Sequence, residues 1–275
     1  MADPSTPTAV LFPGQGSQQP GMREPARAVL PELVELADEL CGDDPFALAD
    51  EGTRFQQPAL YCAALAAWEG LRDLKPVALA GHSLGEITAL AAAGAIAPGD
   101  GLRLVATRGR LMEQAAEVTD GGMMAVRGGR AEIEPLVRGT GIALANDNSP
   151  RQVVLAGATA DLDALDGVRG KRLPVAGAFH SSLMEPAVSG FRAELERTTF
   201  FEPQIPVMSC VTGQPFTDVA AELEAALTSP VRWVDVLDAL HERGVRRFVE
   251  TGPGSVLTGL VRKTLDDAEA MTAHA

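Results

Sequence analysis

One serine lies in a sharp turn flanked by glycines. The segment Gly81-His-Ser-Leu-Gly85 follows a short apolar run, residues 76–80, that is typical of a buried strand, and strong helix formers come next. A strand that turns into a helix through Gly-x-Ser-x-Gly is the nucleophile-elbow pattern, and it exposes the serine hydroxyl at the carboxyl edge of a sheet. Unpaired N–H groups at the start of the following helix suit a developing oxyanion. The pattern indicates Ser83 as a nucleophile, the alternative being an ordinary helix-capping serine.

The presence of a base near this hydroxyl would favour the nucleophile over the capping serine, because an unassisted serine is a weak nucleophile. The sequence contains four histidines. His274 lies in a polar tail, and His241 falls on an amphipathic helix pattern that is typical of a surface histidine. His82 adjoins the serine at a turn where neighbouring side chains point apart. By elimination we expect His180, at a turn between two elements, to be the general base. No Asp stands out as its partner, so a backbone carbonyl is a candidate for holding the other ring nitrogen.

A glycine-rich loop, Pro13-Gly-Gln-Gly-Ser-Gln-Gln-Pro-Gly21, follows the first predicted strand, residues 9–12. The loop lacks the Gly-Lys-Ser/Thr of a phosphate-binding loop and the spacing of a dinucleotide fingerprint. Ligands of open α/β sheets bind at the carboxyl ends of strands, which is where this loop begins. We therefore expect its backbone N–H groups to face Ser83 if the first two strands are neighbours.

The order of the predicted elements divides the chain into two parts. Most of it alternates short apolar strands with helices, as parallel sheets covered by helices do. Residues 122–179 instead give strand-helix-strand-strand-helix-strand, the ferredoxin-like order. We predict an α/β fold in which residues 1–121 and 180–275 form a large catalytic domain, and residues 122–179 form a small inserted α+β domain.

Composition excludes several classes of protein. The formal net charge of −14 argues against a nucleic-acid partner. No apolar run reaches the ~20 residues of a membrane span, and the N-terminus lacks the basic and apolar regions of a signal peptide. We therefore expect a cytoplasmic protein with no membrane partner. The three cysteines (Cys41, Cys62 and Cys210) are typical of small buried side chains, and no spacing of ligands indicates a metal site.

The negative charge is unevenly spread. Residues 122–180 contain seven Arg and Lys against six Asp and Glu, so this segment carries about +1 and the remainder about −15. A chance fluctuation is one explanation. The other is that a less acidic segment admits a phosphate-bearing or acidic partner that the rest of the molecule repels.

Seven motifs occur in one order along nearly the whole chain. They are Phe12-Pro-Gly-Gln-Gly-Ser-Gln18, Gln57-Pro-Ala-Leu60, Gly81-His-Ser-Leu-Gly-Glu86, Arg108-Gly109, Gly177-Ala-Phe-His-Ser181, Ser229-Pro-Val-Arg-Trp233 and Glu250-Thr-Gly-Pro-Gly-Ser-Val-Leu-Thr-Gly259. This set resembles malonyl-CoA:acyl carrier protein transacylases and the acyltransferase domains of polyketide synthases. The resemblance implies a large α/β-hydrolase-like domain with a mostly parallel sheet and an inserted ferredoxin-like domain.

The resemblance also implies a reaction. A malonyl group would move from CoA to the phosphopantetheine thiol of an acyl carrier protein through a seryl ester, in fatty acid or polyketide biosynthesis. Ser83 would be acylated, and His180 would act first as base and then as acid. The backbone N–H groups of Gln15 and Leu84 would form the oxyanion hole.

Further roles are implied for three positions. Arg108 would pair with the malonyl carboxylate, which the planar guanidinium matches with two hydrogen bonds. A main-chain carbonyl near Ala226 would hold the histidine. Phe179 is similar to the residue of malonyl-selecting members and would narrow the pocket. Residues 43–54 and 172–176 are shorter than is usual in the family, and both border the expected cleft mouth, which affects carrier docking and acyl range.

Malonyl-CoA and an acyl carrier protein are thus the expected partners, with no cofactor, since the CoA thioester is a substrate. We expect a monomer, and a free-standing protein in preference to a domain of a larger synthase. The alternative is a serine thioesterase or editing hydrolase, which shares Ser83 and His180 but gives Arg108 no role. A non-catalytic carrier-binding module is a further alternative, and the joint presence of these residues argues against it.

Overall fold

The computed structural model of the chain describes residues 6–273, in which nine strands form two sheets. The strands are β1 Thr8–Phe12, β2 Ala78–Gly81, β3 Gly121–Arg127, β4 Ala143–Ser149, β5 Gln152–Ala158, β6 Gly170–Arg172, β7 Val207–Met208, β8 Arg247–Thr251 and β9 Glu269–Ala273. The helices are α1 Arg23–Val29, α2 Pro31–Cys41, α3 Thr53–Glu69, α4 Gly85–Ala92, α5 Pro98–Val118, α6 Arg130–Val137, α7 Thr159–Asp163, α8 Glu185–Leu195, α9 Val219–Ala225, α10 Trp233–Glu242 and α11 Val256–Thr264. His274 lies outside the described residues.

The larger sheet has the strand order β7-β2-β1-β8-β9, and all its neighbouring strands are parallel. Its central strands β1 and β2 are largely apolar on both faces because helices cover both. Val10 and Phe12 pack towards α3 and α5, whereas Ala9 and Leu11 pack towards α10 and α11. Phe12 pairs with Gly81, so the glycine-rich loop after β1 and the turn after β2 leave the sheet at the same edge. The first two strands are therefore neighbours, which was the condition for the glycine-rich loop to face Ser83.

The smaller sheet has the order β4-β5-β3-β6 with antiparallel neighbours. One face, which includes Met124 and Leu155, packs on α6 and α7. The other face, which includes Met123 and Val154, packs on the core of the large sheet. The predicted fold class is confirmed: a parallel α/β sheet and a separate antiparallel sheet of the expected strand and helix succession. The boundaries of the two domains stay a prediction.

One edge of the small sheet is joined to the large domain through backbone hydrogen bonds. The N–H of Asp147 donates to the carbonyl of Val231 at 2.9 Å, and the N–H of Val231 donates to the carbonyl of Ala145 at 2.8 Å. Beside this bridge, the two terminal nitrogens of Arg130 donate to the Asp235 carboxylate at 2.9 and 3.0 Å. The edge strand β4 is therefore fixed against the start of α10.

Several elements differ from the sequence expectations. The sequence predicts a buried helix over residues 57–68 with Pro58 in its first turn, but helix α3 begins at Thr53, so Pro58 lies inside the helix. The missing N–H of this proline leaves the Arg54 carbonyl free, and that carbonyl accepts from the thiol of Cys41 at 3.9 Å. The sequence predicts a strand over residues 142–145, and β4 extends four residues past it; helix α1 and strand β9 are not predicted from the sequence. Within residues 6–273 no helix is both long and apolar enough to cross a membrane.

Candidate active site

The turn after β2 is sterically forced to its shape. Ser83 has a φ of +54°, in the left-handed region that side-chain-bearing residues rarely adopt. A Cβ at Gly81 would collide with the carbonyl of Gly85, and a Cβ at Gly85 would collide with the carbonyl of Phe12. Both flanking positions therefore require glycine, which explains the motif. The serine hydroxyl stands at the end of the strand, at the start of α4.

His180 lies within hydrogen-bond reach of this hydroxyl, although 97 residues separate the two in sequence. The Oγ of Ser83 is 2.7 Å from Nε2 of His180, and Nδ1 of the same ring is 2.8 Å from the carbonyl oxygen of Ala226. Since a carbonyl only accepts, the proton of the neutral ring lies on Nδ1. Nε2 then accepts from the serine hydroxyl. Ala226 is the position that the resemblance suggested for this carbonyl.

The histidine is held neutral by its surroundings. Burial and, after it, the nearby Arg108 cation together lower the pKa of His180 to about 3, against the opposing effect of the Ala226 carbonyl. Only 4% of the residue is exposed. At neutral pH the ring is therefore unprotonated and able to take up the serine proton.

Helix α5 contains three arginines. Arg103 and Arg110 are exposed, whereas Arg108 is buried. Its Nη2 donates to the Oγ of Ser83 at 3.0 Å, and its Nη1 donates to Oε1 of Gln57 at 2.7 Å. Burial lowers its pKa to about 10, partly offset by the Glu86 carboxyl, so the guanidinium remains charged at neutral pH. No salt bridge to it occurs within the described part of the chain. A buried cation without a carboxylate partner favours binding of an anion beside the serine.

Gln57 is a site residue whose role the sequence reasoning missed. It is fully buried, and its Nε2 donates to Oγ1 of Thr53 at 2.8 Å. The side chain of Gln15 donates to the same hydroxyl at 2.9 Å. The chain of bonds orients the amide oxygen that receives Arg108. The sequence did contain a signal for this role, since Gln57 is a polar amide at the start of an otherwise apolar helical run.

The backbone N–H groups of Gln15 and Leu84 come from the two loops at the shared sheet edge. Neither group donates a hydrogen bond to another of the described residues. Leu84 begins the first turn of α4, where free N–H groups are expected. Their use as an oxyanion hole stays a prediction.

Glu86 is a second residue that carried no assigned role. Its side chain is 1% exposed, and its Oε1 accepts from the backbone N–H of Cys210 at 2.7 Å. Burial raises the pKa of this carboxyl to about 8, against the opposing effects of the Cys210 N–H and of Arg108. The carboxyl is therefore mostly protonated at neutral pH, and it ties the helix behind Ser83 to the loop after β7.

A cavity of about 180 Å³ opens over Ser83 between the two sheets. The large domain contributes Gly14, Gln15, Ser17, His82, Ser83, His180, Val256, Leu257 and Leu260. The small sheet contributes Met123, Asn146, Asn148, Gln152 and Val154, and the segment after β6 contributes Leu173, Val175 and Phe179. Nε2 of His82 lies 2.9 Å from Oδ1 of Asn148. The buried Oδ1 of Asn146 has no hydrogen-bond partner among the described residues. Amide side chains thus line the wall opposite the serine.

The geometry supports nucleophilic acyl transfer. A nucleophile, a neutral base and a buried cation converge on one oxygen atom, and a cavity with room for a small acyl group lies above it. No group of three or more His, Cys, Asp or Glu side chains placed to hold a metal occurs in residues 6–273.

Comparisons with known proteins agree with this chemistry. The family model described as acyl transferase domain matches residues 45–275. The chain is 37% identical to the malonyl CoA-acyl carrier protein transacylase of Salmonella typhimurium, over 96% of this chain and 95% of that protein. It is 42% identical to the polyketide biosynthesis protein ThaF of Burkholderia thailandensis, over 94% of this chain but only 24% of that protein, so it spans about a quarter of it. The crystal structure of an acyl carrier protein S-malonyltransferase from Vibrio cholerae superposes with a TM-score of 0.89 at 34% identity, covering 97% of this chain and 96% of that one.

Proposed function

Because the chain belongs to the acyl transferase domain family, we propose that it moves a malonyl group from CoA to the phosphopantetheine thiol of an acyl carrier protein. The observation that carries the proposal is the set of contacts at Ser83, whose Oγ lies 2.7 Å from a neutral histidine nitrogen and 3.0 Å from a buried guanidinium. A transferase of a carboxylated acyl group needs both partners. The histidine makes the hydroxyl nucleophilic, and the guanidinium selects the acyl group.

In the first half-reaction, the Oγ of Ser83 attacks the thioester carbonyl of malonyl-CoA and passes its proton to Nε2 of His180. The N–H groups of Gln15 and Leu84 stabilise the oxyanion that forms. As this tetrahedral intermediate collapses, the carbon–sulfur bond breaks and the CoA sulfur receives the proton from the imidazolium. The products are the malonyl ester of Ser83 and free CoA.

The second half-reaction reverses these roles. The carrier thiol gives its proton to His180 and attacks the ester carbonyl, and the serine oxygen leaves and regains the proton. Atoms and charges balance without a cofactor, because the CoA thioester supplies the acyl group and the carrier accepts it. A cytoplasmic location and a monomeric state stay predictions.

Arg108 links substrate binding to the chemistry. When the malonyl carboxylate pairs with the guanidinium, the positive charge that lowers the pKa of His180 is compensated. The imidazole then becomes a stronger base at the moment when a malonyl group is in place. An acyl group without a carboxylate would leave the cation uncompensated and the base weak. The same contact therefore serves selectivity and activation.

The hydrolase alternative is not favoured. It gives Arg108 no function, and the compared proteins carry transacylase and malonyltransferase names. A thioesterase would need water at the ester, which the proposed reaction must keep away until the carrier arrives.

Intact-mass analysis after incubation with a panel of acyl-CoAs tests the proposal. The unsubstituted protein should gain one malonyl group, the Ser83→Ala variant none, and added holo-carrier protein should remove the group from the enzyme and appear malonylated. Release mainly as free malonate would support the hydrolase. A stable adduct on the Ser83→Ala variant would refute the assignment of the nucleophile.

A further inference from the structure

Three strands of the small sheet run from the catalytic cavity to a positively charged rim. Side chains on one face of a strand alternate with those on the other, and directly paired residues share a face. Ala125 pairs with Val154 on one side and with Lys171 on the other, and Arg127 pairs with Gln152. These residues therefore share the face that lines the cavity.

Along each strand the same change from apolar to polar occurs. On β3, Met123 lines the catalytic cavity and Arg127 lies four residues, or about 13 Å, further out. In the chain around β6, Leu173 and Val175 line the cavity, and Lys171 and Arg169 come before them. A second concavity of about 710 Å³ is lined by these three cations and by Gln152, which lines the catalytic cavity as well. The rim is therefore continuous with the active site.

The rim cations have no counter-charge. No hydrogen bond or ion pair of the side chains of Arg127, Arg169 or Lys171 occurs within residues 6–273. Continuing the strand register by one residue places Arg127 opposite Arg169, an arrangement of like charges that destabilises a sheet. By contrast Arg172, on the other face, is paired with Asp163 at 2.5 Å. In a chain of net charge −14, three unpaired cations at one concave place indicate a bound anion.

We propose that Arg127, Arg169 and Lys171 bind the phosphate groups of the coenzyme A nucleotide while its thioester reaches Ser83. The inference rests on the proposed function, which puts a CoA thioester in the catalytic cavity. A phosphate cluster separated from the reacting sulfur by a long uncharged arm is the feature of CoA that matches a cationic rim outside an uncharged cavity. The phosphates compensate the opposed arginines, and the rim fixes the far end of the donor.

The shape of the rim favours the small-molecule donor over the carrier protein. A concave site of some hundreds of Å³ has the size of a ligand pocket, whereas a protein partner needs a broad surface of ~800 Å² on each side. The alternative outcome of the test is that these cations bind acidic groups of the carrier protein.

The test measures binding of free CoA by titration calorimetry, a readout that does not depend on acyl transfer. The variant Arg127→Gln/Lys171→Gln should weaken binding of CoA roughly 5- to 30-fold, the effect of losing two partly solvated ion pairs. Its affinity for pantetheine, which has the arm but no phosphate, should not change. Added salt should weaken CoA binding by the unsubstituted protein more than by the variant.

Arg27→Gln/Arg138→Gln is the matched control, since it removes two exposed positive charges away from the cavity. It should bind CoA as the unsubstituted protein does. Equal CoA affinity of the rim variant and the control, or weakened binding of pantetheine too, would overturn the inference. So would an effect confined to the carrier protein as acceptor. Failure of malonyl-CoA to acylate Ser83 is seen separately by mass and would overturn the proposed function instead.

Discussion

The two walls of the catalytic cavity are built differently. On the large-domain wall the reactive atoms bond to one another: Ser83 contacts His180 and Arg108, and these are held by Ala226 and Gln57. On the small-sheet wall, amide side chains point into the cavity, and one buried amide oxygen has no partner among the described residues. The reactive side chains of the first wall contact one another before any ligand binds, although the Arg108 cation there has no carboxylate partner, whereas the second wall leaves a buried amide oxygen without a partner among the described residues. The difference separates chemistry, which needs fixed geometry, from recognition, which needs open hydrogen-bonding groups.

The largest effect is expected from removing the base on the large-domain wall. His180→Ala should slow acylation of Ser83 by ~10²–10⁴, the scale for a positioned general base. Single-turnover mass analysis with malonyl-CoA measures it. The control is His241→Ala, which removes a partly buried histidine that is hydrogen-bonded to Asp267 far from the site, and it should leave the rate unchanged. An unchanged acylation rate in the His180→Ala variant would show that His180 is not the general base for Ser83.

The buried carboxyl behind the elbow should make stability depend on pH. Folded protein keeps the Glu86 proton up to about pH 8, whereas the unfolded chain releases it near the ordinary value of 4.5. The unfolded chain thus binds fewer protons in this interval, and the free energy of unfolding falls as pH rises through it, by up to a few kcal/mol. Denaturant unfolding at pH 5 and pH 8 should show this loss, and Glu86→Gln should reduce it. An unchanged pH dependence in the variant would contradict the buried-proton assignment.

Replacing Arg108 should make the large-domain wall less selective for acyl groups that carry a carboxylate. Arg108→Gln should lower the preference for malonyl-CoA over acetyl-CoA by ~10- to 100-fold, the scale of a charged hydrogen bond. The cation also depresses the pKa of His180 from its position nearby, so its loss should raise that pKa and move the acid limb of the acylation rate to higher pH. Acylation rates with both thioesters between pH 4 and pH 8 test both points. Arg110→Gln, an exposed change on the same helix, should alter neither.

The smallest effect is expected on the small-sheet wall. Asn146→Ala should raise the KM for malonyl-CoA and for malonyl-pantetheine alike by ~2- to 10-fold, because the pantetheine arm common to both offers amide N–H groups to the unpaired oxygen. The rate at saturation should stay unchanged, since no reacting atom is touched. A lower rate at saturation with an unchanged KM would contradict the assignment of this wall to substrate binding.

The large-domain wall was largely predictable from sequence. The elbow is encoded locally, because a strand, two obligatory glycines and a helix follow one another within a few residues. His180 was reachable by elimination among four histidines. Arg108 and the carbonyl of Ala226 came from family resemblance, since nothing local distinguishes the buried arginine of α5 from its exposed neighbours. The role of Gln57 depends on contacts with other elements, which a pattern of residues does not contain.

The small-sheet wall was less predictable for a physical reason. Residues 146–149, Asn-Asp-Asn-Ser, have the composition of a turn, yet they continue β4. Backbone pairing with β5 on one side and with Val231 on the other overrides that local preference, and the pairing with Val231 is a tertiary contact. Strand β9 was not predicted for a similar reason. Glu269–Ala273 is a partly exposed edge strand with little apolar alternation, and only its pairing with β8 defines it as a strand.

The backbone bridge between β4 and Val231 joins the two walls of a single catalytic cavity. Donor and acceptor of the proposed reaction use the same serine in that cavity, so they must enter it one after the other. Each thiol therefore obstructs the other: surplus free CoA should compete with the carrier for the acylated enzyme, and surplus carrier should delay reloading. Turnover is then greatest at an intermediate ratio of the two.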